Sequence, residues 1–512
     1  MFNVRRGPMV LASTAIAALT LAGCSGAGGD SSSGETLTLG LNTDWTGWDP
    51  AKLISAGSLT WIEQGVWDHL LTCDATGAVE PGAAESFEVA DQNTVFTLHL
   101  REGMTFSDGS DVDASDVAAT LDYMIANGVN ASQMEGVTTE AVDDLTVTLT
   151  AASPSPLVPG LLCTSFGVIL PSEVIESGNF SGTPVGSGPY TYDEASSTVG
   201  AEYVLQRNDA YPDSETYPFD TVRVKVITDS TARLNALKAG DIAGAQGSTA
   251  VVAEAESAGL DNLKLNGAWA GLLLTDRNGT VVPALGEVDV RRAINMVFDK
   301  EQIASTIYQG LATPTAEVFR PGTAAYISDL KDPYPFDVDA AKSLMAEAGY
   351  ADGFDIELPV VSDAGAALDP IYPLIVQQLG LLGIRAEIVT LSGPNAISDL
   401  LSGRFPMIFW PLGNQGNSYQ DLMSWIVPDA VWNVQRASDP RLQELLDQIP
   451  TADETESSVL QKQVNEFLID EAWFAPMVYP DQIFTFDPKQ TTLNESSDAS
   501  GLAPNLRDFE TP

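Results

Sequence analysis

The sequence predicts an α/β protein with more than one lobe, and three observations lead to this prediction. The chain has 512 residues, more than one hydrophobic core usually organises. Residues 35–265 are rich in short segments in which apolar and polar side chains alternate, the pattern of half-buried strands. From about residue 285, helical patterns alternate with strand patterns, which is typical of an α/β lobe with a partly parallel sheet.

In the strand-rich part, local signals predict the first elements. Residues 35–40 alternate as a strand, and residues 84–101 predict two strands joined by a polar Asp-Gln-Asn turn. A helix is expected to begin at Asp113, with Asp116 at the third helical position in a near-capping-box arrangement. Residues 145–149 alternate with threonines and predict another half-exposed strand.

The later part carries signals for the ends of helices. Asp289 and Asp299 are expected to cap two consecutive helices. Asp337 begins a third predicted helix, which Gly349 closes in a left-handed conformation before a strand. The following helix is expected to stop at Gly383, where another strand pattern begins.

The N-terminus has the features of an export signal. The pair Arg5-Arg6 precedes an apolar stretch, residues 9–21, that is too short to span a bilayer. Small residues before Cys24 resemble a bacterial lipoprotein cleavage site, so residues 1–23 are predicted to be a signal peptide. Residues 24–34 then form a lipidated cysteine and a flexible Ser/Gly-rich tether. The alternative is a plain secretory signal that happens to contain a cysteine.

Charge and hydropathy limit the partners of the chain. Lysine and arginine number 24 against 70 acidic residues, which gives a net charge of −46 and argues against nucleic acid as a partner. A solvated acidic surface and a salt-rich habitat both account for this charge. After Cys24 no segment is long and apolar enough to cross a membrane. We therefore expect an extracytoplasmic protein that is held to the cell membrane by its lipid only.

Two cysteines remain beyond the lipid attachment site. Cys73 and Cys163 are expected to form one disulfide, because the predicted compartment is oxidising. Two separate buried thiols are the alternative.

Signals for catalysis and for cofactors are absent from the sequence. The two histidines, His69 and His99, are 30 residues apart and belong to no HExxH motif. There is also no GxSxG, phosphate-binding loop, dinucleotide fingerprint or Cys-x-x-Cys motif. We predict no catalytic residues, no metal site and no cofactor. A secreted hydrolase remains an alternative, because a pair of catalytic carboxylates cannot be recognised among so many acids.

Ordered segments along most of the chain resemble one family. They are LTCDATGAVEPGAAESFEV (71–89), FTLHLREGMTFSDGS (96–110), ASDV (114–117), GSGPY (186–190), LNALKAGD (234–241), VRRAINMVFDK (290–300) and AAKSLMAEAGYADGF (340–354). Together they resemble the large, family 5 extracellular solute-binding proteins, which serve ABC importers of peptides, nickel chelates and some oligosaccharides.

The resemblance implies a two-lobe periplasmic-binding-protein-like clamp of type II, the large class with an extra subdomain. Lobe I is expected to comprise residues 35–267 plus 484–512, with the extra subdomain at about 52–170, and lobe II residues 268–483. A hinge joins the lobes, and a peptide or other small molecule binds between them. The implied partners are this ligand and the transmembrane subunits of an ABC permease, and the protein is expected to be a monomer. An oligosaccharide receptor and a receptor that signals to a membrane sensor are alternatives.

Four of the nine tryptophans are candidates for lining the cleft: Trp45, Trp48, Trp269 and Trp410. They lie in polar loops or near the predicted hinge, where a large flat side chain suits a ligand better than a core. Most tryptophans are nevertheless ordinary core residues, which is the alternative.

The loop after Trp410 is expected to supply polar contacts. Asn414, Asn417, Tyr419 and Asp421 are the candidates. Peptide-binding members of the family typically place an aspartate shortly after such a tryptophan, where it pairs with the α-ammonium of the peptide. Here that position falls on a glycine or on Asn414, so the sequence favours ligands with neutral hydrogen-bonding groups. The alternative is that the asparagines only shape a turn.

Overall fold

The computed structural model describes residues 35–53, 57–74, 77–129, 131–265, 267–362, 370–413, 417–494 and 503–512. The predicted signal peptide, Cys24 and the tether lie outside the described residues. Residues Glu35–Pro512 belong to one compact unit.

The strands are β1 (Thr36–Leu41), β2 (Leu71–Cys73), β3 (Val79–Pro81), β4 (Ala84–Ala90), β5 (Val95–Leu100), β6 (Val137–Asp143), β7 (Thr146–Ala151), β8 (Tyr190–Tyr192), β9 (Glu202–Arg207), β10 (Thr221–Val226), β11 (Gly244–Gln246), β12 (Asp261–Leu265), β13 (Ala268–Leu273), β14 (Ala312–Pro314), β15 (Asp355–Val361), β16 (Arg385–Leu391), β17 (Ile408–Gly413), β18 (Phe474–Pro480), β19 (Gln482–Phe486), β20 (Thr492–Leu493) and β21 (Phe509–Glu510).

The helices are α1 (Thr60–Val66), α2 (Ala114–Asn127), α3 (Val158–Leu161), α4 (Ser172–Ser177), α5 (Ser230–Ala239), α6 (Val252–Ser257), α7 (Val288–Met296), α8 (Lys300–Thr306), α9 (Val338–Glu347), α10 (Ile371–Leu381), α11 (Ala396–Leu400), α12 (Ser418–Trp425), α13 (Pro440–Gln448) and α14 (Glu454–Asp470). In the described ranges, none of these helices is long and apolar enough to cross a membrane.

The first lobe is organised by a seven-stranded sheet in the order β12-β19-β11-β1-β10-β9-β8. Strand β1 pairs in parallel with both β10 and β11, whereas the other pairings are antiparallel. Leu37, Leu39 and Leu41 of β1 are buried in the core of this lobe. The alternating pattern that predicts β1 therefore arises because the strand is buried against that core.

A second body in this lobe, which we call the subdomain, has its own core between Ala51 and Ile169. Its antiparallel sheet has the order β4-β5-β7-β6, and α2 packs against β6. The capping box that the sequence predicts at the start of α2 is confirmed, since Asp113 and Asp116 each accept a hydrogen bond from the other's backbone N–H. A disulfide joins Cys73 of β2 to Cys163, just beyond α3, with their Cα atoms 5.7 Å apart.

The second lobe contains an antiparallel sheet in the order β14-β18-β13-β17 and a separate parallel pair, β15–β16. Helices α7, α8, α9 and α10 contribute buried side chains to its main core. The alternation of helices and strands predicted after residue 285 is thus present. The lobes are the two halves of an α/β clamp.

The helix-end predictions were mostly accurate. Asp299 and Asp337 accept hydrogen bonds from backbone N–H groups at the starts of α8 and α9. Gly349 has a φ angle of 85°, the predicted left-handed conformation, and Gly383, where the next helix is predicted to stop, has a φ angle of 76°. The prediction for Asp289 was wrong: α7 begins at Val288 with Glu287 as its cap, so Asp289 lies in the first turn, where its negative charge still interacts favourably with the helix dipole.

Candidate functional site

The chain crosses between the two large sheets at two connections that lie side by side. One joins β12 to β13, and the other is Asp481, between β18 and β19. Leu265 at the end of β12 pairs with Gln482 at the start of β19. Lys264 Nζ lies 3.1 Å from Asp481 Oδ2, an ion pair between the two connections. This paired crossing is the geometry of a hinge, and a cleft between lobes is expected to open beside it.

On the first lobe, two amide side chains meet at the edge of the sheet next to these connections. Asn42 follows β1, and Gln246 ends β11, the parallel neighbour of β1. Asn42 Nδ2 donates a hydrogen bond to Gln246 Oε1, and Ser58 Oγ donates one to Asn42 Oδ1 at 3.1 Å. Gly247 N donates to Ile483 O at 2.8 Å, two residues beyond Asp481. Ligands of α/β sheets bind at such carboxyl ends of parallel strands.

The two tryptophans predicted for this lobe are neighbours, but they differ in exposure. The ring centroids of Trp45 and Trp48 are 5.4 Å apart. Trp45 is 7% exposed and belongs to the core, whereas Trp48 is half-buried and packs against Tyr192 with centroids 4.8 Å apart. Of this pair, Trp48 alone keeps appreciable surface for contact with a ligand.

On the second lobe, β17 runs toward the hinge. Its last residue, Gly413, pairs with Ala268, the first residue of β13 after the crossing. Asn414 lies outside the described residues. Asn417 caps α12, and its Oδ1 accepts a hydrogen bond from Gln420 N at 3.0 Å. Asn417 therefore has the local structural role that the alternative predicts, although its Nδ2 takes no part in the cap.

The remaining polar candidates differ in their access to solvent. Tyr419 is half-buried, and burial raises the pKa of its phenol to about 12, so the hydroxyl is a hydrogen-bond donor at neutral pH. Asp421, in the same helix, is fully buried. The structure places its carboxylate inside the second lobe and not on the surface where the sequence analysis expects it.

The two tryptophans predicted for the second lobe lie on neighbouring strands but differ in exposure. Strands β13 and β17 pair, and Trp269 lies opposite the residue two positions after Trp410. Trp410 is half-buried, and its ring lies 5.6 Å from that of Trp432 at an angle of 35°. Trp269 has no exposed surface and packs edge-on against Trp425 and Phe474. Trp269 is therefore a core residue in this structure, because β13 lies between β17 and β18 and is buried along its whole length.

Sequence reasoning missed Asn42, Gln246 and Trp432. Their side chains have no distinctive motif, and Asn42 and Gln246 are 204 residues apart. The one usable signal was position, because each amide comes at the carboxyl end of a strand, where ligands of parallel sheets bind.

A network of buried polar side chains holds the start of α12 in place. Ser418 Oγ donates to Gln461 Oε1 at 2.6 Å and accepts from Ala325 N. Asn465, on the same helix as Gln461, donates to Ala325 O and to Glu317 Oε2 at 2.6 Å. Glu317 is 5% exposed, and burial raises the pKa of its carboxyl from 4.5 to about 7.

We expect Glu317→Gln to remove a pH dependence of stability. The unfolded carboxyl loses its proton near pH 4.5 and the folded one near pH 7, so the contribution of Glu317 to stability is fully present below pH 4.5 and is lost as the pH rises through 7. The fall is at most about 3 kcal/mol. A glutamine can accept the same hydrogen bonds without a charge. Urea unfolding between pH 4 and 8 tests this; the pKa of Asp68, also raised, to about 6, affects both proteins equally. Parallel profiles for the two proteins would exclude the role of Glu317.

The geometry provides neutral amides and aromatic faces around the hinge. Amides bind carbonyl, hydroxyl and amide groups, and indole rings bind flat or apolar groups. In the part of the chain that the structure describes, no group of three or more His, Cys, Asp or Glu side chains is placed to hold a metal ion. The arrangement is suited to holding a solute between two surfaces.

Comparison with known proteins gives a consistent result. The family model "Bacterial extracellular solute-binding proteins, family 5 Middle" matches residues 78–433. Heme-binding protein A of Haemophilus influenzae is 26% identical over 385 residues, which are 67% of this chain and 68% of the relative. Glutathione-binding protein GsiB of Shigella flexneri is 26% identical over 401 residues, 76% of this chain and 75% of the relative. For the protein of the same name in Salmonella paratyphi A, the match covers 66% of the relative.

Solved structures show the same fold over nearly the whole chain. HbpA2 of Haemophilus parasuis has a TM-score of 0.81 at 20% identity, over 93% of this chain and 100% of that one. DppA of Helicobacter pylori, in complex with the peptide STSA, has a TM-score of 0.72 at 22% identity, over 93% of this chain and 98% of that one.

Proposed function

Because the chain belongs to family 5 of the bacterial extracellular solute-binding proteins, we propose that it captures a peptide or peptide-like solute between its lobes and delivers it to an ABC permease. The paired crossing at Lys264 and Asp481 supports a hinge. The chain changes from one sheet to the other between β12 and β13 and between β18 and β19, which supports the lobe boundaries proposed from the sequence.

We further propose that the mature protein begins at the lipid-bearing Cys24. The short apolar segment and the small residues before this cysteine support the proposal, as does the Ser/Gly-rich tether that follows. Intact-mass measurement of the protein from its native membrane is expected to show residues 1–23 removed and acyl mass added. An unmodified chain that begins at another residue would contradict it.

The single observation that carries the ligand chemistry is the pair of neutral amides, Asn42 and Gln246, at the hinge edge of the first lobe. At the position where peptide-binding members have an acid, this chain has Gly413 or Asn414, neither of which is ionised. A charged α-ammonium buried without a partner loses about 3–5 kcal/mol. The site therefore suits blocked or cyclic peptides, whose groups are neutral donors and acceptors.

Calorimetry with matched free and N-acetylated peptides tests this specificity. We expect acetylation to change the affinity by less than about tenfold, because no ion pair is lost. Trp410→Ala is the positive control, since it removes an aromatic face without a charge, and we expect weaker binding of both forms. A preference of about a hundredfold for free peptides would show that an acid elsewhere binds the α-ammonium.

An oligosaccharide is the second candidate ligand. Half-buried indoles such as Trp410 and Trp432 can stack on sugar rings, and amides bind hydroxyl groups. Repeating the titrations with oligosaccharides on the same protein preparation shows which of the two ligand classes binds. The relatives whose names specify heme and glutathione show that this fold accepts different solutes, so the choice depends on the side chains of this chain.

A further inference from the structure

The subdomain touches the second lobe at a point remote from the hinge in the chain. Asn93, at the tip of the β4–β5 hairpin, donates from Nδ2 to Pro450 O at 2.7 Å and approaches Ala452 O at 3.5 Å. The two acceptors lie between α13 and α14 of the second lobe. This hydrogen bond must break if the lobes separate there.

A second contact lies at α3. A Cβ atom added to Gly160 would lie 2.9 Å from Asn417 Nδ2, closer than van der Waals contact permits. Apart from its chain neighbours and the backbone of its own helix, no other described atom comes within 4 Å of that position. Gly160 is a first-lobe residue, and Asn417 caps α12 of the second lobe. The absence of a side chain at Gly160 thus makes room for a side chain of the opposite lobe.

The hairpin tip is held in an unusual backbone conformation. Asp91, Gln92 and Asn93 have φ angles of 48°, 55° and 62°, although none is glycine. Such conformations are unfavourable for side chains like that of glutamine, and they persist where the surroundings impose them. Ser155 N fixes the tip by donating to Asn93 O at 2.8 Å. The strained tip presents the Asn93 amide to the second lobe.

We propose that the subdomain is the latch of the clamp: the Asn93 hydrogen bond holds the second lobe in the closed arrangement, and the absence of a side chain at Gly160 lets Asn417 approach. The proposal rests on the clamp function proposed above. In this account the amide of Asn417, a candidate for binding the solute, is a closing contact between the lobes. The subdomain then determines how much of the protein is closed before a solute is bound.

The substitution Gly160→Leu tests the latch, because the added side chain should keep the two lobes apart. Apart from α3 itself and the chain neighbours of Gly160, the first lobe has no described atom within 4 Å of the added Cβ, so the lobe should fold normally while closure is blocked. Small-angle scattering of protein refolded from urea and free of solute should match the profile calculated from this structure for the wild type. The variant should have a larger radius of gyration. Gly380→Leu is the matched control, because the Cβ position of this glycine in α10 has no described atom of another element within 4 Å.

Asn93→Ala is a second, milder variant. Loss of one hydrogen bond should lower the ratio of closed to open protein about fivefold. Asn127→Ala is its control, since that amide donates to Tyr123 O within its own helix. Equal radii of gyration for wild type, Gly160→Leu and Asn93→Ala would overturn the latch proposal. A wild type as open as Gly160→Leu would overturn it as well. Failure of the proposed receptor function would appear separately, as absence of solute binding in calorimetry.

Discussion

Replacing Cys73 and Cys163 together by alanine is expected to lower the free energy of unfolding of the first lobe by about 4.5 kcal/mol. The disulfide closes a loop of 90 residues, which contains most of the subdomain. Without it, the unfolded chain gains the entropy of an open loop. The disulfide also restrains α3, because Cys163 follows this helix and its backbone N–H donates to Gly160 O at 3.3 Å. We therefore expect a weaker latch as well as a less stable lobe.

Urea unfolding of the oxidised wild type and the double variant measures this loss. Reduced wild-type protein is the control, because it lacks the bond but keeps both sulfur atoms, and it should resemble the double variant. Thiol titration of the denatured, unreduced wild type should find neither cysteine free. Equal stability of the oxidised and reduced proteins, or two free thiols, would contradict the disulfide.

Trp269→Ala is expected to destabilise the second lobe by about 3–5 kcal/mol, the usual range for a large aromatic residue removed from a core. Its ring has no exposed surface and contacts Trp425 and Phe474 at centroid distances of 6.2 and 5.4 Å. The cavity left behind cannot collapse easily, because β13 is paired on both sides. Trp269→Phe should lower the free energy of unfolding much less.

Trp410→Ala separates stability from binding. Trp410 is half-buried at the candidate site, so its removal should affect the affinity for solute more than the stability of the lobe. Urea unfolding and calorimetry on both alanine variants make the comparison. If Trp269→Ala instead left the stability unchanged and abolished solute binding, Trp269 would be the ligand platform predicted from the sequence.

Local features of the fold were predictable because their causes are local. The capping box of Asp113 and Asp116 and the left-handed glycines Gly349 and Gly383 depend on a few neighbouring residues. The error at Asp289 has the same origin. An acidic side chain is favourable both as a cap and in the first turn, so the sequence alone does not distinguish these positions.

The candidate site was predictable only in part because it depends on distant pairings. Asn42 and Gln246 meet because β1 and β11 are parallel neighbours, and strand order is not visible in an alternating pattern. Gly160 acquires a role only when α12 approaches it from the other lobe. Composition also could not show that Trp269 is buried while Trp410 retains exposed surface, because burial depends on which strands flank β13 and β17 in the folded sheet.

If this chain holds a small solute between its lobes, that solute should remain bound through a purification without dialysis. Mass spectrometry of the molecules released by denaturing protein purified in this way, from cells that produce it, tests this. We expect one class of low-mass solute, near one molecule per chain, and much less of it in Gly160→Leu purified in parallel. A wild-type protein that releases nothing above the background of the variant would show that the chain holds no such solute.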